Sequence, residues 1–417
     1  MKKHIKLIIF VIIFFITIGD IGVIAEKQGL TNTALYSSEE EYARNFSEDL
    51  YKFFRYGETK VFSYKRSNIV NAYLNSKKSV LNEVSDLYCL DKKPISLKSE
   101  VLKRVKQSGT TIYVVNIRSE FLYSSDTSGE SSGEALNIIV KCSDVNGTFT
   151  IENVFDGIGG VNIAIWPTLY NKYSNEAVLN LERLENGTLN NKGNIEDLKI
   201  QKDKEIDKIK KQFYEEIKLA EKESQTQKQQ IKTKSLSKMF NKTGAVNYAR
   251  RNFNKDTPVS GGAGVRYQDF SKFKNSYDCT NFISHCMLAG GARPDKPGWY
   301  YQDMDHKSRS WSGATKFNNY FTVRKSVKLW GTCDSYSPFL ARTNPLFVNG
   351  DFIQVYDGET FIHSTIITGH YIFDNRGKSY VGAKVTGRTS SRSNNNNMAI
   401  IDVIPGAAKY LLKVKGI

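Results

Sequence analysis

The sequence predicts an α+β fold: an N-terminal unit of helices and antiparallel strands, a helical linker, and a C-terminal α+β domain. Three observations carry this. Apolar residues repeat at three- and four-residue spacing between 39 and 88, the period changes to alternation from Ile95 to Phe155, and the polar stretch 195–237 returns to a helical stripe. At 417 residues the chain has room for two to three domains of roughly 100–200 residues each.

Composition narrows the classes. Apolar residues at 40% and charged residues at 24% exclude a disordered tail and a multi-span membrane protein. Lys and Arg total 59 against 43 for Asp and Glu, and the resulting +16 biases the chain toward anionic surroundings, whether nucleic acid, cell-wall polyanion or anionic lipid. Five Cys are too sparse for a disulfide scaffold, and no Cys-x-x-Cys pair offers zinc spacing. No metal is expected, and no nucleotide, flavin or haem motif calls for another cofactor.

Residues 1–25 have the layout of a secretory signal: basic Lys2, Lys3 and Lys6, an apolar run from Leu7 to Ile18, and small residues at Val23 and Ala25 before a cut. The run is shorter than the ~20 residues a spanning helix needs, so export with cleavage is expected, with no transmembrane segment afterwards.

Tyr42, Phe46, Leu50 and Phe53, then Val70, Tyr73, Leu74, Val80, Leu81 and Val84, give two amphipathic helices. Thr111–Val115, Leu136–Val140 and Thr148–Ile151 alternate between turn residues and read as an antiparallel meander. Helices followed by a curved sheet describe a cone or cystatin-like accessory domain over 26–194. With no His between His4 and His285, a binding or spacer role fits it best. Cys89 and Cys142 are either a bridge formed after export or two buried thiols.

Over 195–242, Ile195, Leu198, Ile206, Ile209, Phe213, Ile217 and Ala220 form a thin stripe, with Lys202 and Glu216 where a coiled-coil seam wants apolar residues. The reading is a solvated connecting arm. The remaining domain, 243–417, carries the charge: residues 241–417 hold 24 Lys or Arg against 12 Asp or Glu, or +12.

The reactive candidates lie in that domain. Asp278 is a good N-cap, Phe282, Ile283, Cys286, Met287 and Ala289 make an apolar helical face, and Gly290-Gly291 is a stop, so Cys279 opens a buried helix. A thiol in a first helical turn feels the positive end of the dipole, and the N–H groups there can hold an oxyanion. Cys286, two turns deeper, reads as an inert core thiol. A nucleophilic Cys needs a His to take its proton and protonate a leaving amine. His285 sits about 120° around the helix axis from Cys279. His306 lies in a polar loop, and His370 follows His363 at an odd offset past Gly369. His363 stands near the start of the second strand of a hairpin formed by Phe352–Tyr356 and Phe361–Thr368. Helix-start Cys followed by hairpin-strand His is a papain-type order, which selects Cys279 and His363.

These residues carry a resemblance. Ala245–Arg250, Arg266–Ser271, Asp278-Cys279-Thr280-Asn281-Phe282-Ile283-Ser284, Ala289-Gly290-Gly291, Gly298-Trp299-Tyr300-Tyr301, Ser310–Gly313, Gly350-Asp351 and His363-Ser364 resemble the putative amidase domain family of Gram-positive bacteria over residues 243–405. That family is similar in layout to papain-like cell-wall peptidases of the NlpC/P60 and CHAP type. The resemblance implies Cys279 as nucleophile and His363 as base on an amide bond, with Asp278, Asn281 and Tyr267 shaping the site. Two positions depart from it: His285 stands where the family usually has Gln, and Val385 where it has the His of a His-Thr pair that looks like the orienting third member. Thr386 is the candidate substitute.

Tyr267, Trp299, Tyr300, Tyr301 and Trp311 are read as a partly exposed wall of a substrate groove. No DNA- or RNA-binding motif is present, so the basic charge is assigned to cell-wall polymer and not to nucleic acid. The expected product is a secreted or wall-associated thiol amidase or peptidase acting on peptidoglycan. The alternatives are a non-catalytic wall-binding module and a secreted protease directed at another organism's proteins.

Overall fold

The computed structural model describes residues 36–88, 92–124, 126, 129–156, 194–226, 240–273, 278–323, 340–341, 347–356, 358–403 and 408–412. The expected signal at 1–25 and Cys89 lie outside these residues.

Helix α1 (Glu39–Tyr56) starts where the Ser38 side chain accepts the Glu41 N–H and ends at Gly57, whose φ of 74° only glycine adopts readily. Helix α2 (Asn68–Tyr88) follows, then the meander β1 (Lys92–Gln107), β2 (Thr110–Tyr123), β3 (Ser132–Val145) and β4 (Thr148–Phe155). Both helices and the meander match the sequence reading. Their apolar faces close on one core, in which Phe46, Leu50, Val70, Tyr73 and Leu74 meet Ile112, Val115, Ile138, Val140 and Ile151. Cys142, on β3, is a buried thiol in that core.

Helix α3 (Ile195–Thr226) corrects the reading of a solvated arm. Leu198 and Ile209 are buried in the first core, while Phe213 and Ala220 are buried in another core with Phe121, Tyr123, Val355, Ile367 and Tyr371. The thin stripe is therefore a two-ended packing surface. Glu216, which counted against a seam, is buried and accepts from Gln212 Nε2 at 2.6 Å.

The C-terminal part adds α4 (Lys242–Asn252), α5 (Cys279–Ala289), α6 (Arg309–Ser312), α7 (Ala314–Val323), β5 (Leu340–Ala341), β6 (Phe352–Tyr356), β7 (Phe361–Asn375), β8 (Lys378–Ser390), β9 (Ser393–Ala399) and β10 (Ala408–Leu412). The fold class is α+β, with helices against a large antiparallel sheet. Its order is β1-β2-β3-β9-β8-β7-β6-β10, with β4 also on β3 and β5 on β8. Strand β9 joins the two halves: Gly133, Glu134 and Ala135 of β3 pair with Asn396, Asn395 and Asn394. Glu134 is held there by Arg55 at 2.6 and 2.7 Å and by the Tyr51 hydroxyl at 2.8 Å.

Candidate active site

Cys279 opens α5, a helix buried from Cys279 through Leu288. Phe282, Ile283, Cys286 and Met287 pack with Phe352 and Ile366 of the sheet and with Ala245 and Ala249 of α4. Helix α4 approaches closely, since a Cβ on Gly244 would stand 2.7 Å from the Ala289 carbonyl. The first intrahelical bond runs from the Phe282 N–H to the Asp278 carbonyl at 2.8 Å. Cys286 is fully buried, and burial pushes its thiol well up, as an inert core residue requires.

Asp278 occupies the N-cap position, but its side chain does not cap the helix. Its carboxylate is fully buried and accepts instead from the Phe270 N–H at 3.0 Å, Asn281 Nδ2 at 2.8 Å and the Tyr267 hydroxyl. Arg388 Nε of β8 lies 2.7 Å from Asp278 Oδ2, though its N–H is not aimed at that oxygen, so the contact is an ion pair without an aligned hydrogen bond. Asn281 extends the cluster, donating to the Gln268 carbonyl at 2.8 Å and accepting from Trp311 Nε1 at 2.7 Å. Tyr267, Asp278 and Asn281 thus come together beneath the first turn of α5.

A hydrogen bond ties the helix start to β7. Thr280 Oγ1 and Ser364 Oγ are 3.0 Å apart, and Ser364 also accepts from Gln354 Nε2 at 3.0 Å. The residues that directly follow Cys279 and His363 therefore touch. Cys279 is 5% exposed, with Sγ 3.7 Å from Thr280 Oγ1, and His363 is 8% exposed. His363 pairs with Val355 on β6, and the β7–β8 ladder runs from Ile366 opposite Thr386. Burial pulls the His363 ring down to about 4, so it is neutral at neutral pH.

The other histidines are placed elsewhere. His285 is fully buried between the rings of Tyr267, Tyr248 and Trp311, and burial lowers it to about 3. His306 is exposed in its loop and held by Asp303 at 2.8 Å. His370, past a bulge between Ile367 and Gly369, pairs with Ala383 and stacks on Phe347.

The aromatic wall is corrected. Trp299 and Trp311 are fully buried and stacked at 4.9 Å, and Tyr301, 6% exposed, stacks on Trp311 at 5.8 Å. Trp299 Nε1 donates to Ser284 Oγ at 3.0 Å. These rings form the core under α5 because their polar edges find partners inside, Ser284 for Trp299 and Asn281 for Trp311. Tyr300 is half-buried beneath Lys296. Tyr267 and the edge of Tyr301 line a cavity of about 430 Å³ with Arg266, Lys272, Phe273 and Asp303, adjacent to the Asp278 cluster.

Thr386 is fully buried on β8, where its hydroxyl lies 2.9 Å from Thr368 Oγ1, accepts the Asn397 N–H at 3.0 Å and reaches Asn396 Oδ1 at 3.2 Å. Its hydroxyl bonds run within the sheet, to Thr368, Asn396 and Asn397. Sequence reasoning missed three residues. Arg388 reads as an ordinary strand basic residue, but buried it joins Asp278 and, through Nη2, Asp269 Oδ2 at 2.7 Å. Asn395 lies within the run Asn394–Asn397, and neither it nor Gly387 carries a local signal. A Cβ on Gly387 would stand 3.2 Å from both His363 Nε2 and Asn395 Oδ1.

Among the described residues, no cluster of His, Cys, Asp and Glu has the arrangement of a metal site, and no helix is long and apolar enough to cross a membrane. The chain is similar to the uncharacterized protein YhbB of Bacillus subtilis (strain 168), at 32% identity over 91 residues, which is 21% of this chain and 25% of that protein. The chain thus matches about a quarter of that relative's length. No solved structure matches it. The segment that carries Cys279, His363 and the buried Asp278–Arg388 pair matches a family described as "Putative amidase domain", over residues 239–411.

Proposed function

We propose that this chain is an exported thiol amidase or peptidase that hydrolyses an amide bond in peptidoglycan. The observation that carries the reading is the contact between Thr280 and Ser364, which seats the helix start bearing Cys279 beside the strand start bearing His363. The match of residues 239–411 to an amidase domain supports the bond type. The neutral His363 takes the Cys279 proton. The thiolate attacks the carbonyl carbon, and first-turn N–H groups of α5 hold the oxyanion. The tetrahedral intermediate collapses to a thioester as His363 gives its proton to the leaving amine. Water, deprotonated by the same imidazole, then hydrolyses the thioester to a carboxylic acid and restores the thiol.

Tyr267 and Tyr301 border the cavity next to the Asp278 cluster and are its substrate-contacting residues in this reading. The C-terminal part is read as papain-like, preceded by a signal at 1–25 and an accessory unit over 26–194 that binds wall polymer. The basic balance of the chain supports an anionic polymer as partner.

The test is incubation of the mature protein with purified peptidoglycan, measuring newly exposed amino groups. Release is expected, with Cys279→Ser lowering it by at least about 10³-fold. Full activity in Cys279→Ser rules the mechanism out. Release from protein substrates alone moves the substrate to the proteins of another organism, and adsorption without release makes the domain a binding module.

A further inference from the structure

We propose that Asn395 is the positioning residue for His363, accepting from Nε2–H across a gap that Gly387 keeps open. This rests on the reading of His363 as the base. Gly387 and Asn395 are cross-strand partners on β8 and β9. A Cβ on Gly387 would stand 3.2 Å from His363 Nε2, 3.2 Å from Asn395 Oδ1 and 2.8 Å from Thr365 Cγ2, so the imidazole nitrogen and the amide oxygen border the same space. Any larger residue at 387 would fill it.

The amide is fixed in orientation. Asn395 Nδ2 donates to the Val385 carbonyl at 3.0 Å, which leaves Oδ1 as the end turned to the gap. The two atoms are not hydrogen bonded in this structure; such contacts commonly tighten only when the reacting complex forms. An acceptor beside Nε2 selects the tautomer protonated there and leaves Nδ1 as the base for the thiol. A buried imidazolium without an acceptor is costly, so the oxygen also steadies the charged ring.

The strand that carries Asn395 is held from the N-terminal half. Asn395 pairs with Glu134 of β3, and Glu134 is clamped by Arg55 and Tyr51. The accessory unit therefore contributes to the site through β9 without touching the reacting atoms.

The test is ¹⁵N NMR of ring-labelled histidine in the full mature chain, with His363 assigned by loss of its signals in His363→Gln. The wild type is expected to show Nε2 protonated and Nδ1 bare. Asn395→Ala is expected to lose that preference, with the two ring nitrogens moving toward each other, and to slow Cys279 alkylation at least about tenfold. Asn395→Asp, which keeps an oxygen and adds charge, is expected to restore the tautomer and raise the ring's titration midpoint. Gly387→Ala is expected to behave like Asn395→Ala. An unchanged His363 tautomer and midpoint in folded Asn395→Ala and Asn395→Asp would overturn the proposal. A tautomer that follows residue 395 in a protein that hydrolyses no amide upholds the positioning role and removes only the assigned reaction.

Discussion

Arg388 Nε lies 2.7 Å from Asp278 Oδ2, and neither side chain is exposed to solvent. The same guanidinium serves Asp269, so one buried cation is shared by two carboxylates. That sharing explains why burial pushes Asp278 up to about 6 even with an arginine beside it, with Asp269 adding to the rise. The pair ties β8 to the start of α5 directly behind Cys279.

Replacing Arg388 with Met should cost about 3–5 kcal/mol, because it strands two buried carboxylates without their cation. Urea unfolding measures this. A loss below about 1 kcal/mol would mean that the pair is solvated or dispensable.

The pH dependence has two opposed parts. Asp278, at about 6 in the folded chain against about 3.9 unfolded, binds its proton more tightly when folded. Its contribution is fully present below the unfolded value and is lost as pH rises through about 6. His363 at about 4 and His285 at about 3 act the other way: the unfolded chain protonates them near 6.5 first, so stability falls as pH drops below that value. Unfolding free energies from pH 4 to 8 should therefore rise more steeply with pH in Asp278→Asn than in wild type across the interval from 4 to 6.

His285 offers a stabilising change. It is fully buried, and neither ring nitrogen has a hydrogen-bond partner among the described residues. His285→Phe keeps the stacking on Tyr248 and the edge contact with Trp311 and removes two unsatisfied polar atoms. We expect a gain of about 1–2 kcal/mol in urea unfolding at pH 7, and a loss of that size would show that a hydrogen-bonded water occupies the site.

Helix α3 separates packing from tethering. Phe213 is buried with Tyr371 and Val385, so Phe213→Ala should cost about 3–5 kcal/mol. A free connecting arm would tolerate it with no change in the unfolding midpoint.

Periodicity made the helices and the meander legible, since 39–88 and 95–155 carry clean 3.6 and 2.0 repeats. The helix opened by Cys279 was legible for the same reason, with turn residues marking its ends; the strand carrying His363 was legible at its start, but it runs past the expected stop at Thr368, through Gly369, to Asn375. What stayed hidden depends on contacts distant in sequence. Arg388 lies more than a hundred residues from Asp278, and only packing joins them. Trp299 and Trp311 are expected on a partly exposed wall, yet both rings are buried, Trp311 from within the short helix α6. Asn395 gains meaning only from the register of β9 between β3 and β8.

The most direct test of the central claim is the pH-dependent rate of Cys279 alkylation by iodoacetamide in the purified protein, with the labelled residue located by mass spectrometry and the rate compared in His363→Ala. The account predicts fast labelling that persists below pH 7 and collapses to an ordinary thiol profile without His363. Slow labelling with the same pH profile in both proteins would show that Cys279 and His363 do not act as a pair.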